Sequence, residues 1–125
     1  MLNHVSIGVA SLADSKKFYD AVLGELGYSC LVQDTTSLGY GVSQVSFWVL
    51  KSERPAADEP ASGLHFCFDA PDSGAVNRFH AAGVRLGGRD NGEPSLRADY
   101  SPDYYAAFLM DRDGYRIEAY CRSAK

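Results

Sequence analysis

The chain of 125 residues predicts an α+β domain built from two βαβββ modules. Three observations predict it: short stretches with period-two apolar alternation, two amphipathic helical stretches closed by glycine, and a self-similarity at a fixed shift. The shift is 61 residues, the separation of His4 from His65, and it also lays Val5 on Phe66, Ile7 on Phe68, Ser11 on Asp72 and Phe18 on Phe79. The matches fall at strand, cap and helix-core positions, as a duplicated supersecondary unit requires.

Residues 2–9 alternate and are rich in β-branched side chains, which predicts a first strand. Ser11 and Asp14 form a capping box with Asp in its fourth place. Phe18, Val22, Leu23 and Leu26 follow at helical spacing, and Gly27 stands where a C-terminal glycine ends a helix. Three strands are expected over about 28–33, 37–42 and 44–50, with Gly39 and Gly41 as punctuation. The stretch 51–62 holds Pro55 and Pro60 and little to bury. It reads as a linker between a first module, about 1–50, and a second, about 63–122, in one domain.

After the linker the pattern restarts. A strand over 63–69 leads to Asp72 as an N-cap, then to a helix over about 73–82 ending at Gly83. Strands are expected near 84–88, 104–110 and 115–121, the last two joined by the turn Asp111-Arg112-Asp113-Gly114. The polar stretch 89–103, marked by Gly and Pro, reads as a long surface loop beside a binding site.

Composition narrows the function classes. With 46% hydrophobic residues the chain can build a core, and 22% charged residues is the globular average. A net charge of −4, with Lys16-Lys17 as the sole adjacent basic pair, excludes nucleic acid as the main partner. No apolar run approaches the ~20 residues of a membrane helix, and the N-terminus lacks a secretory pattern. Cys30, Cys67 and Cys121 form no C-x-x-C pair, which fits reduced thiols and a cytoplasmic protein.

Strand parity picks out the chemistry. Val5, Ile7 and Val9 form the apolar set of the first strand, so His4 lies with Ser6 and Gly8. By the same count His65 lies with Cys67 and opposite Phe66 and Phe68, and Glu118 lies with Arg116 and Tyr120. His4, His65 and Glu118 thus leave the helix-packing face, and two imidazoles with a carboxylate are a metal-ligand set with open positions. Singly, each is an ordinary half-exposed polar residue; two His at repeat-equivalent positions carry the case. Trp48, Cys67, Arg97, Tyr100, Tyr104 and Tyr105 are the remaining site candidates. Tyr100 and Tyr105 are placed as proton carriers, and Trp48, Cys67, Arg97 and Tyr104 as substrate contacts. Arg97 suits an anionic group, which its fork can meet bidentately.

The opening LNHVSIGV with Phe18-Tyr19 and Leu23-Gly24-Glu25-Leu26-Gly27, and the ending YAAFLMDRDGYRIE over 105–118, resemble the vicinal oxygen chelate superfamily. That superfamily groups glyoxalases, bleomycin-resistance proteins and extradiol dioxygenases. The resemblance covers nearly the whole chain; Arg112 and Tyr115 replace the Pro and Asn usual in the last turn. It implies two modules pairing into a concave, cup-like mixed sheet with helices on the outer face. It also implies one divalent ion (Zn, Fe, Mn, Ni or Co) on His4, His65 and Glu118. The stretch 42–50 has no carboxylate, whereas glyoxalase I proteins carry a fourth ligand there. The three-ligand set is closer to fosfomycin-resistance thiol transferases and extradiol dioxygenases. Metal-free antibiotic-binding members usually lose the ligands that this chain keeps.

The leading expectation is a metal-dependent enzyme binding a small substrate through two vicinal oxygens, or polarising one, with lyase or isomerase, thiol-transferase or dioxygenase chemistry. A symmetric homodimer is expected, with the cup completed either within one chain or across two. The competing readings are a metal-free protein that sequesters an aromatic ligand against Trp48 and the tyrosines, and a dimeric regulatory module.

Overall fold

Helix α1, Leu12–Gly24, starts where Ser11 Oγ accepts the Asp14 amide at 3.2 Å. The chain leaves it through Gly27, whose φ of 94° suits a residue without a Cβ. Helix α2, Ser73–Arg85, is capped in the same way by Asp72, which accepts the Ala75 amide at 2.8 Å. The computed structural model describes residues 1–55 and 62–122; the middle of the expected linker lies outside the described residues.

The strands are β1 Val5–Val9, β2 Ser29–Gln33, β3 Ser37–Gly41, β4 Val45–Lys51, β5 His65–Asp69, β6 Arg89–Leu96, β7 Tyr105–Met110 and β8 Arg116–Cys121. They form two four-stranded sheets, ordered β1-β4-β3-β2 and β5-β8-β7-β6. In each, the strand before the helix pairs in parallel with the last strand of its module, and the other pairs are antiparallel. The βαβββ unit is therefore repeated with one topology, giving the α+β fold expected. The two sheets are not closed on each other.

One stretch differs from expectation. Residues 84–88, read as a strand from their apolar side chains, are the end of α2 and a turn through Gly87, with φ 98°. The strand is instead β6, within the stretch read as a loop. Its polar sequence hides it, because β6 is an edge strand with bulges around Asp90, Gly92 and Ser95. Edges and bulges are where a strand tolerates Gly92 and Pro94.

Both helices and one face of each sheet share a single core. Phe18, Tyr19 and Phe79 from the helices pack with Phe47 and Val49 of the first sheet and Leu109 and Ile117 of the second. Side chains bind the modules together: Tyr115 donates its hydroxyl to the Gly8 carbonyl at 2.8 Å, and Asp113 Oδ1 accepts the Ala10 amide at 3.0 Å. Since each sheet turns one face to this core, alternation turns the other face outward. Among the described residues no helix is long and apolar enough to cross a membrane.

Candidate active site

The outward face of the second sheet gathers the chemistry. Cross-strand register sets Cys67 of β5, Glu118 of β8, Phe108 of β7 and Gly92 of β6 in one row. The next row begins with His65 and Arg116. Glu118 is 2% exposed, and both its oxygens are engaged. Oε1 lies 3.0 Å from His65 Nε2, and Oε2 accepts the Tyr104 hydroxyl at 2.5 Å. Tyr104 stands just before β7 with its ring 4.1 Å from that of Tyr120, which steers its hydroxyl toward Glu118.

Two further groups feel this carboxylate. Burial, reinforced by the charge of Glu118, pushes the Cys67 thiol up to about 12, so it stays protonated near neutrality. The Tyr104 hydroxyl is also raised, by burial first and then by its hydrogen bond to Glu118, so it remains a donor.

His65, Glu118, Tyr104, Tyr100, Phe108 and Arg116 line a cleft of about 540 Å³. That volume suits a small organic ligand. Arg97 lies over the Phe108 ring, with Cζ 5.0 Å from the ring centroid, and Nη2 donates to the Glu93 carbonyl at 2.7 Å. It stacks on Phe108 and is not among the residues lining the cleft. Its path crosses Gly92, where an added Cβ would stand 3.0 Å from Nη2.

The expected residues divide as follows. His65, Cys67, Tyr100, Tyr104 and Glu118 come together in this one site. His4 does not. It is exposed just before β1, with Nδ1 2.7 Å from Asn3 Oδ1, on the outward side of the first sheet. Trp48, paired across strands with Ser6 and Gly39, shares that side. Among the described residues no group of three or more His, Cys, Asp or Glu is gathered to hold a metal ion. The assignment of Tyr105 is corrected: its hydroxyl donates to Asn77 of α2 at 2.7 Å, because the residue after Tyr104 points to the opposite face. Arg116 and Phe108 were not singled out. Parity with Glu118, directly along β8 and across the hairpin to β7, was the signal that finds them.

The donor set fits a divalent ion in part. An imidazole nitrogen and a carboxylate oxygen 3.0 Å apart are borderline-hard donors of the kind such ions take. Two donors fall one short of the usual three protein ligands of an open site.

No protein-family model and no curated protein matches the chain. Solved structures do. A glyoxalase/bleomycin resistance protein from Albidiferax ferrireducens T118 is 35% identical, with a TM-score of 0.84 over 96% of this chain and 98% of that one. A glyoxalase/bleomycin resistance protein/dioxygenase family enzyme from Burkholderia phytofirmans PsJN shares the fold at 14% identity, with a TM-score of 0.69 over 94% of this chain and 95% of that one. The fosfomycin resistance protein FosX from Listeria monocytogenes does so at 12% identity, with a TM-score of 0.71 over 96% of this chain and 91% of that one.

Proposed function

The chain belongs to the glyoxalase/bleomycin resistance family of the vicinal oxygen chelate superfamily, and from that premise we propose that it is a metal-dependent enzyme acting on a small oxygen-bearing substrate. The ion is held by His65 and Glu118 of one copy and by His4 of a second. The observation that carries this is the buried Glu118 carboxylate, aimed at an exposed imidazole inside an open cleft.

The shared core is what supports a second copy in this reading. His4 and the His65–Glu118 pair stand on the outward faces of different sheets, so one chain does not bring them together. A second copy laid with its first sheet over this second sheet supplies the missing imidazole, and a two-fold axis does so twice. Leu50, Val32 and Leu64, between 37% and 46% exposed, are apolar groups for that contact.

Bound there, a divalent ion supplies Lewis acidity toward substrate oxygens. The chain's own residues do the rest. Tyr104 fixes Oε2 of Glu118 and leaves Oε1 toward His65; Phe108 and Tyr100 wall the substrate from water.

The metal-free binding reading draws on the absence of a three-donor group within one chain among the described residues. Chelator-free purification and metal analysis separate the two, with about one ion per chain expected. His4→Ala and Glu118→Ala homodimers each lose the ion. A tagged heterodimer of the two variants regains one site in two. Metal-free parent protein sinks the proposal, and an unrestored heterodimer sinks the shared site.

A further inference from the structure

We propose a second ligand site, apart from the cleft: a groove along the free edge of β5 that takes a small aromatic amine, its ring among Tyr28, Phe47 and Phe68 and its ammonium on the carboxylate of Asp69. The groove is built from its own residues and needs no metal ion.

Topology opens the groove. β5 ends the second sheet and pairs with β8 alone, so its other edge is left without a strand. All five residues of β5 line a cavity of about 370 Å³, together with Val5, Phe47 and Tyr28 of the first module. That volume lies in the range of small-ligand sites. Alternation divides the wall. Phe66 and Phe68 turn inward and pack on the shared core, whereas Asp69 shares the outward parity of His65, whose ring meets Glu118. An aromatic floor beside a polar lip is the division that a ligand with a ring at one end and a charge at the other needs.

The rings are set to receive such a body. Phe47 stands edge-on to Phe68, centroids 5.1 Å apart and planes at 88°, and Tyr28 is tilted 55° to Phe68 at 6.4 Å. Rings at such angles offer edges to another ring and negative faces to a cation. Tyr28 is held in place by its own hydroxyl, which donates to the Asp69 carbonyl at 2.9 Å. That bond uses the backbone of Asp69 and leaves the carboxylate out.

The charge comes from Asp69. It is exposed, and no ion pair among the described residues includes it. Its field reaches the aromatic wall: burial raises the Tyr28 hydroxyl, and the Asp69 charge raises it further. No Lys or Arg lines the groove. With a net charge of −4 the chain as a whole also favours a cation there over an anion.

The test uses the full-length protein with chelator present. Phenethylamine binding is measured by calorimetric titration beside 2-phenylethanol, ethylamine and phenylacetate. Phenethylamine is expected to saturate one site per chain, with the alcohol and ethylamine each about tenfold weaker and phenylacetate weaker still. Asp69→Asn is expected to weaken phenethylamine about fivefold and leave 2-phenylethanol unchanged, as loss of one exposed charge contact implies. Glu53→Gln, which removes the same charge outside the groove, should change neither. Nuclear Overhauser contacts from the ligand ring to Tyr28 and Phe68 are expected. Absent phenethylamine binding, or the alcohol bound as tightly, overturns the cation, and ethylamine bound as tightly overturns the ring. Ring contacts to Tyr100 and Phe108 would put the amine in the cleft and overturn the groove. If Asp69→Asn does not fold, the amine–alcohol comparison and the ring contacts on the parent decide.

Discussion

Tyr19, with none of its surface exposed, donates its hydroxyl to Asp111 Oδ2 at 2.5 Å, across 92 residues of sequence. The other oxygen, Oδ1, accepts the Asp113 and Tyr115 amides at 2.9 Å, so one carboxylate shapes the β7–β8 turn and ties it to α1. Tyr19→Phe keeps the ring and removes the donor, leaving a buried carboxylate oxygen unpaired. A loss of about 1–3 kcal/mol is expected in urea unfolding, with an unchanged m-value. An unshifted midpoint would show that the pair contributes nothing.

The same carboxylate sets a pH dependence. Burial raises Asp111 above the ordinary carboxylate range, against the lowering effect of its hydrogen bonds from Tyr19 and the Tyr115 and Asp113 amides. The folded state then holds this proton more tightly than the unfolded chain. Its contribution is fully present below the unfolded carboxylate pKa and is lost as pH rises through the higher folded value. Asp34 and Asp90 are lowered by backbone hydrogen bonds and have the opposite slope, at lower pH. Subtracting the melting profile of Asp111→Asn from that of the parent should isolate a stability difference that declines with rising pH. A flat difference would refute the assignment.

Neighbouring tyrosines should separate cleanly. Tyr104→Phe removes a hydrogen bond to Glu118 and is expected to weaken divalent-ion binding about 10–100-fold, as loss of an orienting partner does. Tyr105→Phe loses only its bond to Asn77 and should leave ion affinity unchanged. Competition titration with a chromophoric chelator reads both. Equal effects would mean that Tyr104 does not orient the carboxylate.

Gly41 is a steric prediction. A Cβ there would stand against the Gln44 carbonyl oxygen, in the turn between β3 and β4, and rigid backbone has no cheap way to yield. Gly41→Ala should cost about 1–3 kcal/mol in unfolding free energy. Gly24→Ala, with nothing within 4 Å of the added methyl, provides the control.

These residues also mark how far the sequence can be read. Alternation assigns His65 and Glu118 to one face of their sheet, and in the structure their side chains meet there. Tyr105 was misplaced beside Tyr104 because proximity in sequence reverses the face at every step. Edge strand β6 was hidden by the Gly and Pro that its bulges accept. The separation of His4 from the other two lies beyond alternation altogether. Parity says which side of a sheet a residue takes, and only the common core, a matter of packing between distant side chains, says which way each sheet faces.

That core has a consequence for folding. Phe47 of the first module meets Phe68 of the second edge-on, centroids 5.1 Å apart, and Phe66 within 6.2 Å. Each half, cut free, would present these rings to water with nothing to bury them, so the repeat visible in the sequence is not a pair of autonomous folding units. Melting is expected as one cooperative step, with calorimetric and van't Hoff enthalpies equal. A fragment ending at residue 55 would stay unfolded until the complementary fragment was added, the two halves then folding only as they bind.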